Sequence, residues 1–236
     1  MPYRRLPNTD SARLKALKIA YQKGKELTPF KLAFSQSAFS KIHAFLPGYD
    51  AAVRLYKNTY AVNVAKSRDY PNSFKKAKLY ISHFIQVMNM AIARGELHPN
   101  IRTFYGIDEL DNKVPEMNTE ADLIKWSELI IAGENERLKK GMTPISNPTI
   151  AVVKVRFQQF LDMYHSKKIN QKNNIRVLKD VTNLRAQADD IILNVWNEVE
   201  KYFSDLPDDM MREKAAEYGV SYVYRRNEMR RLSLFS

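Results

Sequence analysis

The side chains most often used in catalysis are few in this chain, and their spacing does not favour a shared site. Histidine occurs four times, at His43, His83, His98 and His165. No two of them stand three or four residues apart, the spacing that lets two histidines on one helix hold a metal ion. His83 lies among apolar neighbours, and we expect it to be a hydrogen-bonded core residue.

Three pairs of adjacent carboxylates could serve acid–base chemistry if burial separated the pKa values of the two partners. They are Asp108-Glu109, Asp189-Asp190 and Asp208-Asp209. Adjacent positions on a helix point in different directions, so such a pair does not face one site. The chain also contains no cysteine, no Gly-rich phosphate loop and no nucleophile elbow. We therefore expect a protein without catalytic activity, cofactor or metal, and an enzyme or small-molecule binder is the least favoured class.

The unusual property of the sequence is its positive charge. The 236 residues contain 38 Lys+Arg against 26 Asp+Glu, a formal net charge of +12 at pH 7. Residues 1–110 hold 18 basic and 7 acidic residues, whereas residues 111–236 hold 20 and 19. A basic face raises the local concentration of polyanions and speeds their encounter. The first half of the chain is therefore the expected place for a polyanion site.

Short basic clusters near the start, in the middle and at the end of the chain are the candidate sites. The middle cluster is expected in the first turn of a helix, where free backbone N–H groups favour an anion. The last cluster precedes three apolar residues, so the tail could dock on a partner, an acidic surface or a membrane interface. The alternatives are a solvated lysine face and a tail packed on its own domain. The candidate polyanion-binding residues are Arg4, Arg5, Lys75, Lys76, Lys78, Arg225, Arg226, Arg230 and Arg231.

Short motifs recur in the same order along the two halves of the chain. The repeated motifs are Asn8-Thr9-Asp10 with Asn118-Thr119-Glu120, Phe45-Leu46-x-x-Tyr49 with Phe160-Leu161-x-x-Tyr164, and Tyr105-Gly106-Ile107 with Tyr218-Gly219-Val220. Their shared order predicts a tandem duplication, with the domain boundary in the connection 100–117. The alternative is chance similarity between two amphipathic helical patterns.

Each half is predicted to form three helices, because apolar residues recur every three or four positions. The first half gives helices over 9–27, 36–67 with a kink or break at Pro47-Gly48, and a buried central helix over 73–95. In the second half, helices begin at Thr119 and at Asn147-Pro148, and a third follows a boundary within 180–186. A short helix follows Pro207, and 220–224 is extended without an evident partner strand. The 13 tyrosines are expected mainly in the core, with base stacking as the alternative.

The sequence thus predicts an all-α protein, a tandem duplication of a three-helix unit. It has about six long helices, a short C-terminal helix and an extended tail. The expected domains are a basic repeat over 1–110 and a near-neutral repeat over 111–236. No stretch reaches the roughly 18 apolar residues of a membrane-spanning helix, and we expect a cytoplasmic protein.

The favoured function is a non-enzymatic interaction or scaffold protein. It would present a rigid helical surface to a protein partner, with the groove between the two repeats as the natural site. The alternative function is binding of nucleic acid or another polyanion through the basic face of the first repeat.

Overall fold

The structure is a computed structural model that describes residues 3–223. These residues are predominantly helical with almost no strand, which confirms the predicted all-α class. In chain order the elements are β1 (Tyr3–Arg4), α1 (Asp10–Glu26), α2 (Gln36–Ser67), α3 (Tyr70–Ala93), a 3-10 helix (Pro99–Tyr105), α4 (Glu120–Lys139), α5 (Ile150–Tyr202), α6 (Asp208–Ala216) and β2 (Tyr222–Val223). Within the described range, no helix is both long and apolar enough to cross a membrane.

The cap of the first helix, expected at Asn8 or Thr9, is Thr9, and Thr119 caps the helix that was expected to begin there. Thr9 Oγ1 accepts the Ala12 backbone N–H at 3.2 Å and starts α1. Thr119 starts α4 with a reciprocal capping box, in which its Oγ1 accepts the Asp122 N–H at 3.1 Å and the Asp122 carboxylate accepts the Thr119 N–H at 3.3 Å. Both caps satisfy backbone donors that the first helical turn leaves without a partner.

The helix boundary expected within 180–186 is wrong, since α5 is one continuous helix of 53 residues. The segment 150–202 contains neither glycine nor proline, so nothing in its backbone chemistry ends the helix. Within the expected boundary, Val181 is buried and Arg185 is held by an ion pair. The two predicted helices of the second half are therefore one.

The break expected at Pro47-Gly48 is also absent, because α2 runs through both residues. A proline inside a helix removes one backbone hydrogen bond and crowds the preceding turn. Here Pro47 and Gly48 are exposed, while Leu46 and Tyr49 on either side of them are buried. Burial on the opposite face of α2 offsets the local cost of the proline.

The chain divides into two compact units, and the division falls inside α2 and α5. Unit 1 consists of Met1–Tyr60 and Asn173–Ser236, and unit 2 of Ala61–Lys172. This division differs from the expected domains 1–110 and 111–236. Because α5 has no break, its C-terminal part supplies core residues of unit 1, whereas α3 belongs to unit 2. The duplication of the sequence stays a prediction.

Unit 1 has a core formed by α1, the first part of α2, the last part of α5 and α6. Its largest fully buried side chains include Leu17, Ile42, Tyr49 and Trp196. The extended segment expected after residue 219 does contain a strand, and its partner is the N-terminal strand. In this antiparallel pair, Tyr3 lies opposite Val223 and Arg4 lies opposite Tyr222.

Unit 2 has a core formed by α3, the 3-10 helix, α4 and the first part of α5. Its fully buried side chains include Ile81, Phe84, Met88 and Phe160. The 3-10 helix approaches α4 so closely that a Cβ on Gly133 would lie 2.3 Å from the Phe104 carbonyl oxygen. Only glycine allows this contact between two backbones.

Unit 2 also contains a fully buried ionic cluster, which joins the 3-10 helix to α4. Glu134 and Arg137 of α4 are both 0% exposed, and their side chains form an ion pair at 2.5 Å. The Tyr105 hydroxyl donates to the Glu134 carboxylate, which also accepts the Ile145 N–H at 3.0 Å. Arg137 also donates to the Thr143 carbonyl at 2.9 Å. Burial and the nearby carboxylate raise the pKa of Tyr105, so its hydroxyl remains a donor.

Candidate functional site

The first predicted site residues, Arg4 and Arg5, lie at the N-terminal strand of unit 1. The half-buried Arg4 side chain donates to the Glu200 carboxylate at 2.7 Å. The Arg5 side chain is exposed, and its backbone N–H donates to the Ser221 carbonyl at 2.9 Å. Arg4 therefore serves the packing of the strand pair, while Arg5 presents its charge to solvent.

The predicted lysine cluster of unit 2 lies in the second turn of α3. The helix begins at Tyr70, three residues earlier than expected. Lys75 and Lys76 are exposed, whereas the Lys78 ammonium donates to the Asn118 side-chain oxygen at 2.9 Å. Because the free N–H groups of a helix belong to its first turn, the expected combination of lysines with a helix N-terminus is not formed.

The four remaining candidates, Arg225, Arg226, Arg230 and Arg231, lie outside the residues that the structure describes, and their role stays a prediction. Of the described candidates, the two arginines belong to unit 1 and the three lysines to unit 2. The five described candidates are therefore divided between the two units.

By sequence, the described histidines and carboxylate pairs are the candidate side chains for catalysis or metal binding. Residues 3–223 contain no group of three or more His, Asp or Glu placed to hold a metal ion. His83 is exposed, so its prediction as a core histidine is wrong. Asp208 and Asp209 form ion pairs with Arg212 at the start of α6. These carboxylates therefore have structural partners.

Unit 1 contains a groove of about 640 Å³ between α1 and α2, and a second cavity of about 610 Å³ shares its lining residues Lys15 and Ile19. The lining residues of the groove recur every three or four positions, from Ser11 to Glu26 on α1 and from Asp50 to Lys57 on α2, so each helix contributes one face. The floor is aliphatic and consists of Leu14, Ile19 and Val53. We call this feature the basic groove because of the charges that surround its floor.

Five cations and two carboxylates line the basic groove. The cations are Lys15, Lys18, Lys23, Arg54 and Lys57, and the carboxylates are Glu26 and Asp50. Asp50 accepts from both Lys18, at 3.1 Å, and Arg54, at 2.5 Å. The hydrogen bond from Lys18 and the second one from Arg54 hold the pKa of the Asp50 carboxyl below its ordinary value. One carboxylate thus serves two cations, and the groove keeps an excess of positive charge.

Two of the groove cations have little or no ionic compensation. Lys57 donates to the Ser11 hydroxyl at 3.2 Å, which is a neutral acceptor. Lys15 forms no ion pair or hydrogen bond with another described side chain, and it is exposed. Solvated ammonium groups of this kind remain available to an anionic partner at little desolvation cost.

The helix that carries most of the groove cations is anchored on its opposite side. Asp10 in the first turn of α1 accepts hydrogen bonds from Nε and Nη2 of Arg185, each at 2.7 Å, and from the Tyr49 hydroxyl at 3.0 Å. Arg13 donates two bonds to Asp189, at 2.7 and 2.8 Å. The hydrogen bond from Arg185 lowers the pKa of Asp10. Bidentate pairs fix the orientation of the two side chains as well as the distance between them, so α1, which carries the groove cations, is held in place against α5.

Unit 2 contains a second groove at the same positions of its own capped helix. The α4 residues that line it are Ala121, Ile124, Lys125, Glu128, Leu129 and Ala132, and Tyr164 of α5 completes it. Counted from the capping threonine, these α4 positions equal the α1 positions of Ser11, Leu14, Lys15, Lys18, Ile19 and Gln22. We call it the neutral groove, because it contains one lysine and one glutamate.

The sequence contains a signal for the basic groove, but this signal is not a run of adjacent basic residues. Residues 1–60 hold 11 Lys+Arg against 3 Asp+Glu, a steeper excess than the half-chain count indicates. The cations stand three or four residues apart, as in Lys15 and Lys18 or Arg54 and Lys57, so they share a helix face without being adjacent in sequence. Runs of adjacent basic residues occur instead at Arg4-Arg5 and at 75–78, which do not line this groove.

The contrast between +11 and +1 for the halves of the sequence does not carry over to the compact units. Unit 1 has 21 Lys+Arg against 14 Asp+Glu, and unit 2 has 17 against 12. Their formal charges are therefore +7 and +5. The difference between the units lies in the placement of charge on particular helix faces.

Comparison with known proteins adds no relative to this picture. The chain matches no protein-family model, and searches of curated proteins and of solved structures gave no match either.

Proposed function

We propose that this protein is a non-enzymatic helical binding protein that holds an acidic protein partner in the basic groove of unit 1. The observation that carries the proposal is the difference between the two grooves. At the positions that they share after the capping threonine, the basic groove has two lysines, whereas the neutral groove has one lysine and one glutamate, and the basic groove has three further cations. Packing requirements alone would act on both helices alike, so the extra charge points to a ligand of opposite sign.

Nucleic acid is the second candidate, favoured by the same cations. The floor of the groove favours protein over nucleic acid. It is aliphatic, and no residue that lines the basic groove is aromatic. Single-stranded nucleic acid gains much of its affinity from stacking on aromatic rings, and aliphatic side chains offer no such platform. The groove between the two sequence repeats, the site expected at first, stays a prediction, since the basic groove lies within one unit.

The proposal is tested by reversing one charge in each groove. Lys15 and Lys125 occupy the same position after the two caps, and both are exposed. Binding of fluorescein-labelled poly-L-glutamate is followed by anisotropy at several salt concentrations. We expect Lys15→Glu to weaken binding by about threefold to tenfold, as the loss of one favourable pair and the gain of one repulsion imply. Lys125→Glu should leave binding within about twofold.

Two results would count against the proposal. Equal weakening by both variants would show a response to net charge alone. Undiminished binding by Lys15→Glu would place the ligand elsewhere, and the variant Lys75→Glu with Lys76→Glu then tests the α3 cluster. Circular dichroism of each variant establishes that the helices are retained.

A further inference from the structure

We infer that the partner segment is an amphipathic helix with acidic flanks that lies lengthwise in the basic groove. This inference rests on the proposed function and names the ligand class of the same site. It follows from the length of the groove, the spacing of its lining residues and the position of its cations.

The groove has the length and the walls that a helix needs. Its α1 side extends from Ser11 to Glu26, which corresponds to about 22 Å at 1.5 Å per residue. A helix of about 16 residues, or four turns, has that length. Both walls are helices, and a third helix laid between two others is a common packing arrangement in helical proteins.

The spacing of the lining residues is that of a helix face that packs against another helix. Asp50, Val53, Arg54 and Lys57 stand at i, i+3, i+4 and i+7 on α2. Ser11, Leu14, Lys15 and Lys18 follow the same rule on α1. Of the aliphatic floor, Leu14 and Val53 are 8% and 1% exposed and belong to the core of unit 1, while Ile19 is half-buried. The face open to a partner helix therefore consists of Ile19 and the aliphatic stems of the lining lysines.

The cations border the aliphatic floor on both sides. Lys15 and Lys18 stand on the α1 side, and Arg54 and Lys57 stand on the α2 side. A segment that places apolar residues on Ile19 and the lysine stems therefore meets cations along both of its edges. The matching ligand has one apolar stripe flanked by carboxylates on either side, the pattern of an acidic amphipathic helix.

The charge of the groove also argues against the chain's own C-terminal segment as the occupant. Residues 224–236 contain four arginines and one glutamate, so they carry the same sign of charge as the groove. The groove cations would repel this segment.

The test compares two peptides of equal composition on the full-length protein. One peptide of about 16 residues places leucine at helical spacing and glutamate elsewhere, and the other has the same residues scrambled so that no apolar stripe forms. We expect the amphipathic peptide to bind on the order of tenfold more tightly by anisotropy, because only it can place leucines on the floor. Peptide helicity should rise on binding.

A matched pair of floor variants locates the contact. Ile19 and Leu129 occupy the same position after the two caps, and both are half-buried. Ile19→Gln should weaken the amphipathic peptide several-fold and leave poly-L-glutamate unaffected, because glutamate chains use the cations alone. Leu129→Gln should change neither affinity.

The possible failures are distinguishable. If poly-L-glutamate binds with sensitivity to Lys15→Glu and both peptides bind equally, the helical ligand is wrong and the proposed function stands. If no acidic probe binds, both are wrong. Tighter binding of a single-stranded oligonucleotide than of the amphipathic peptide would overturn the inference in favour of nucleic acid. Self-association of the wild type that Lys15→Glu abolishes would replace the foreign helix by a second copy of the chain.

Discussion

Helices α1 and α4 begin in the same way and present different surfaces. Each starts at a capping threonine, and each keeps an aliphatic residue at the two floor positions of its groove, Leu14 and Ile19 or Ile124 and Leu129. The solvent side differs, since Lys18 has Glu128 as its counterpart. Over their whole lengths α1 has five basic and two acidic residues, whereas α4 has three and five. The packing positions of the two helices hold similar residues, and the charges differ where the proposed ligand would touch.

The carboxylate that follows each capping threonine makes similar contacts with different partner residues. Asp10 accepts a tyrosine hydroxyl from α2 and a cation from α5. Glu120 accepts the Tyr70 hydroxyl of α3 at 2.5 Å and the Lys167 ammonium of α5 at 2.9 Å. In each unit, one carboxylate at a helix N-terminus joins three helices, and the helix dipole favours its negative charge.

The units differ most in the exposure of their charged side chains. In unit 2, Glu134 and Arg137 are fully enclosed, whereas the Asp10 and Arg185 side chains of unit 1 are 13% and 31% exposed. A buried pair is expensive to break, because removal of one partner leaves an uncompensated charge. Unit 2 therefore uses part of its charge for internal structure, while unit 1 keeps cations in contact with water.

The largest expected effect tests that contrast. We expect Arg137→Met to lower the free energy of unfolding by about 3–5 kcal/mol, since Glu134 would remain buried without its guanidinium. Arg185→Met should cost about 1–2 kcal/mol, because Asp10 keeps Tyr49 and the solvent around it. Urea unfolding followed by circular dichroism measures both. Equal losses would remove the proposed difference between the units.

The double variant Glu134→Leu with Arg137→Met sharpens this test. Replacing both members of a buried pair by apolar groups removes the unpaired charge, so we expect recovery of at least half of the loss. No recovery would indicate that the Tyr105 hydroxyl and the Ile145 N–H, which lose their acceptor in the double variant, cost as much as the unpaired charge.

A smaller effect tests the likeness of the two units at their Tyr-Gly turns. Gly106 and Gly219 have φ values of 69° and 89°, and each follows a buried tyrosine. In both turns the glycine N–H donates three residues back, and the next N–H donates five residues back. We expect Gly106→Ala and Gly219→Ala to destabilise by about 1 kcal/mol each, because the left-handed conformation disfavours a Cβ.

The control for these turns is Gly48→Ala. Gly48 lies inside α2, where a Cβ would meet no heavy atom within 4 Å. Alanine is the better helix former, so we expect this change to be neutral or stabilising by up to about 1 kcal/mol. A large loss at only one of the two turns would show that the repeated motif does not have equivalent roles.

The smallest expected effect is on the free energy of unfolding at acidic pH. Hydrogen bonds, from Arg185 to Asp10 and from Tyr70 to Glu120, lower the pKa values of these carboxyls below their ordinary values of 3.8 and 4.5. A lowered folded-state pKa contributes stability that is complete above the ordinary value and is lost as the pH falls through the folded value. Asp10→Asn and Glu120→Gln should each flatten the decline of the unfolding free energy below about pH 5. Unfolding midpoints in urea across this range provide the measurement, and an unchanged slope would contradict the assignment.

Local chemistry in the sequence predicted the local features of the fold. The threonine caps, the short helix after Pro207 and the turn at Gly219 follow from residues close in sequence, and all are present. The all-α class followed from hydrophobic periodicity. These features depend on interactions within one or two helical turns, which a single sequence displays directly.

The missed features depend on residues far apart in the chain. The strand after Val220 pairs with Tyr3–Arg4, and no periodicity links two such short segments. Helix α3 was expected to be a buried central helix. In the structure Leu79 and Met90 are 63% and 48% exposed, so only one face of α3 is buried. The basic groove escaped notice because its cations come from two helices and are interrupted by apolar residues.

The division of the chain has a consequence for how the protein is made. Unit 1 needs Val195 and Trp196 for its core, and Arg13 finds its partner Asp189 176 residues later. Unit 2 is encoded by one uninterrupted segment, Ala61–Lys172. A ribosome therefore releases everything unit 2 requires while the first 60 residues still lack their core partners. During synthesis, α1 and the first part of α2 lack their core partners until the segment after residue 172 has been made, whereas unit 2 can be completed before that.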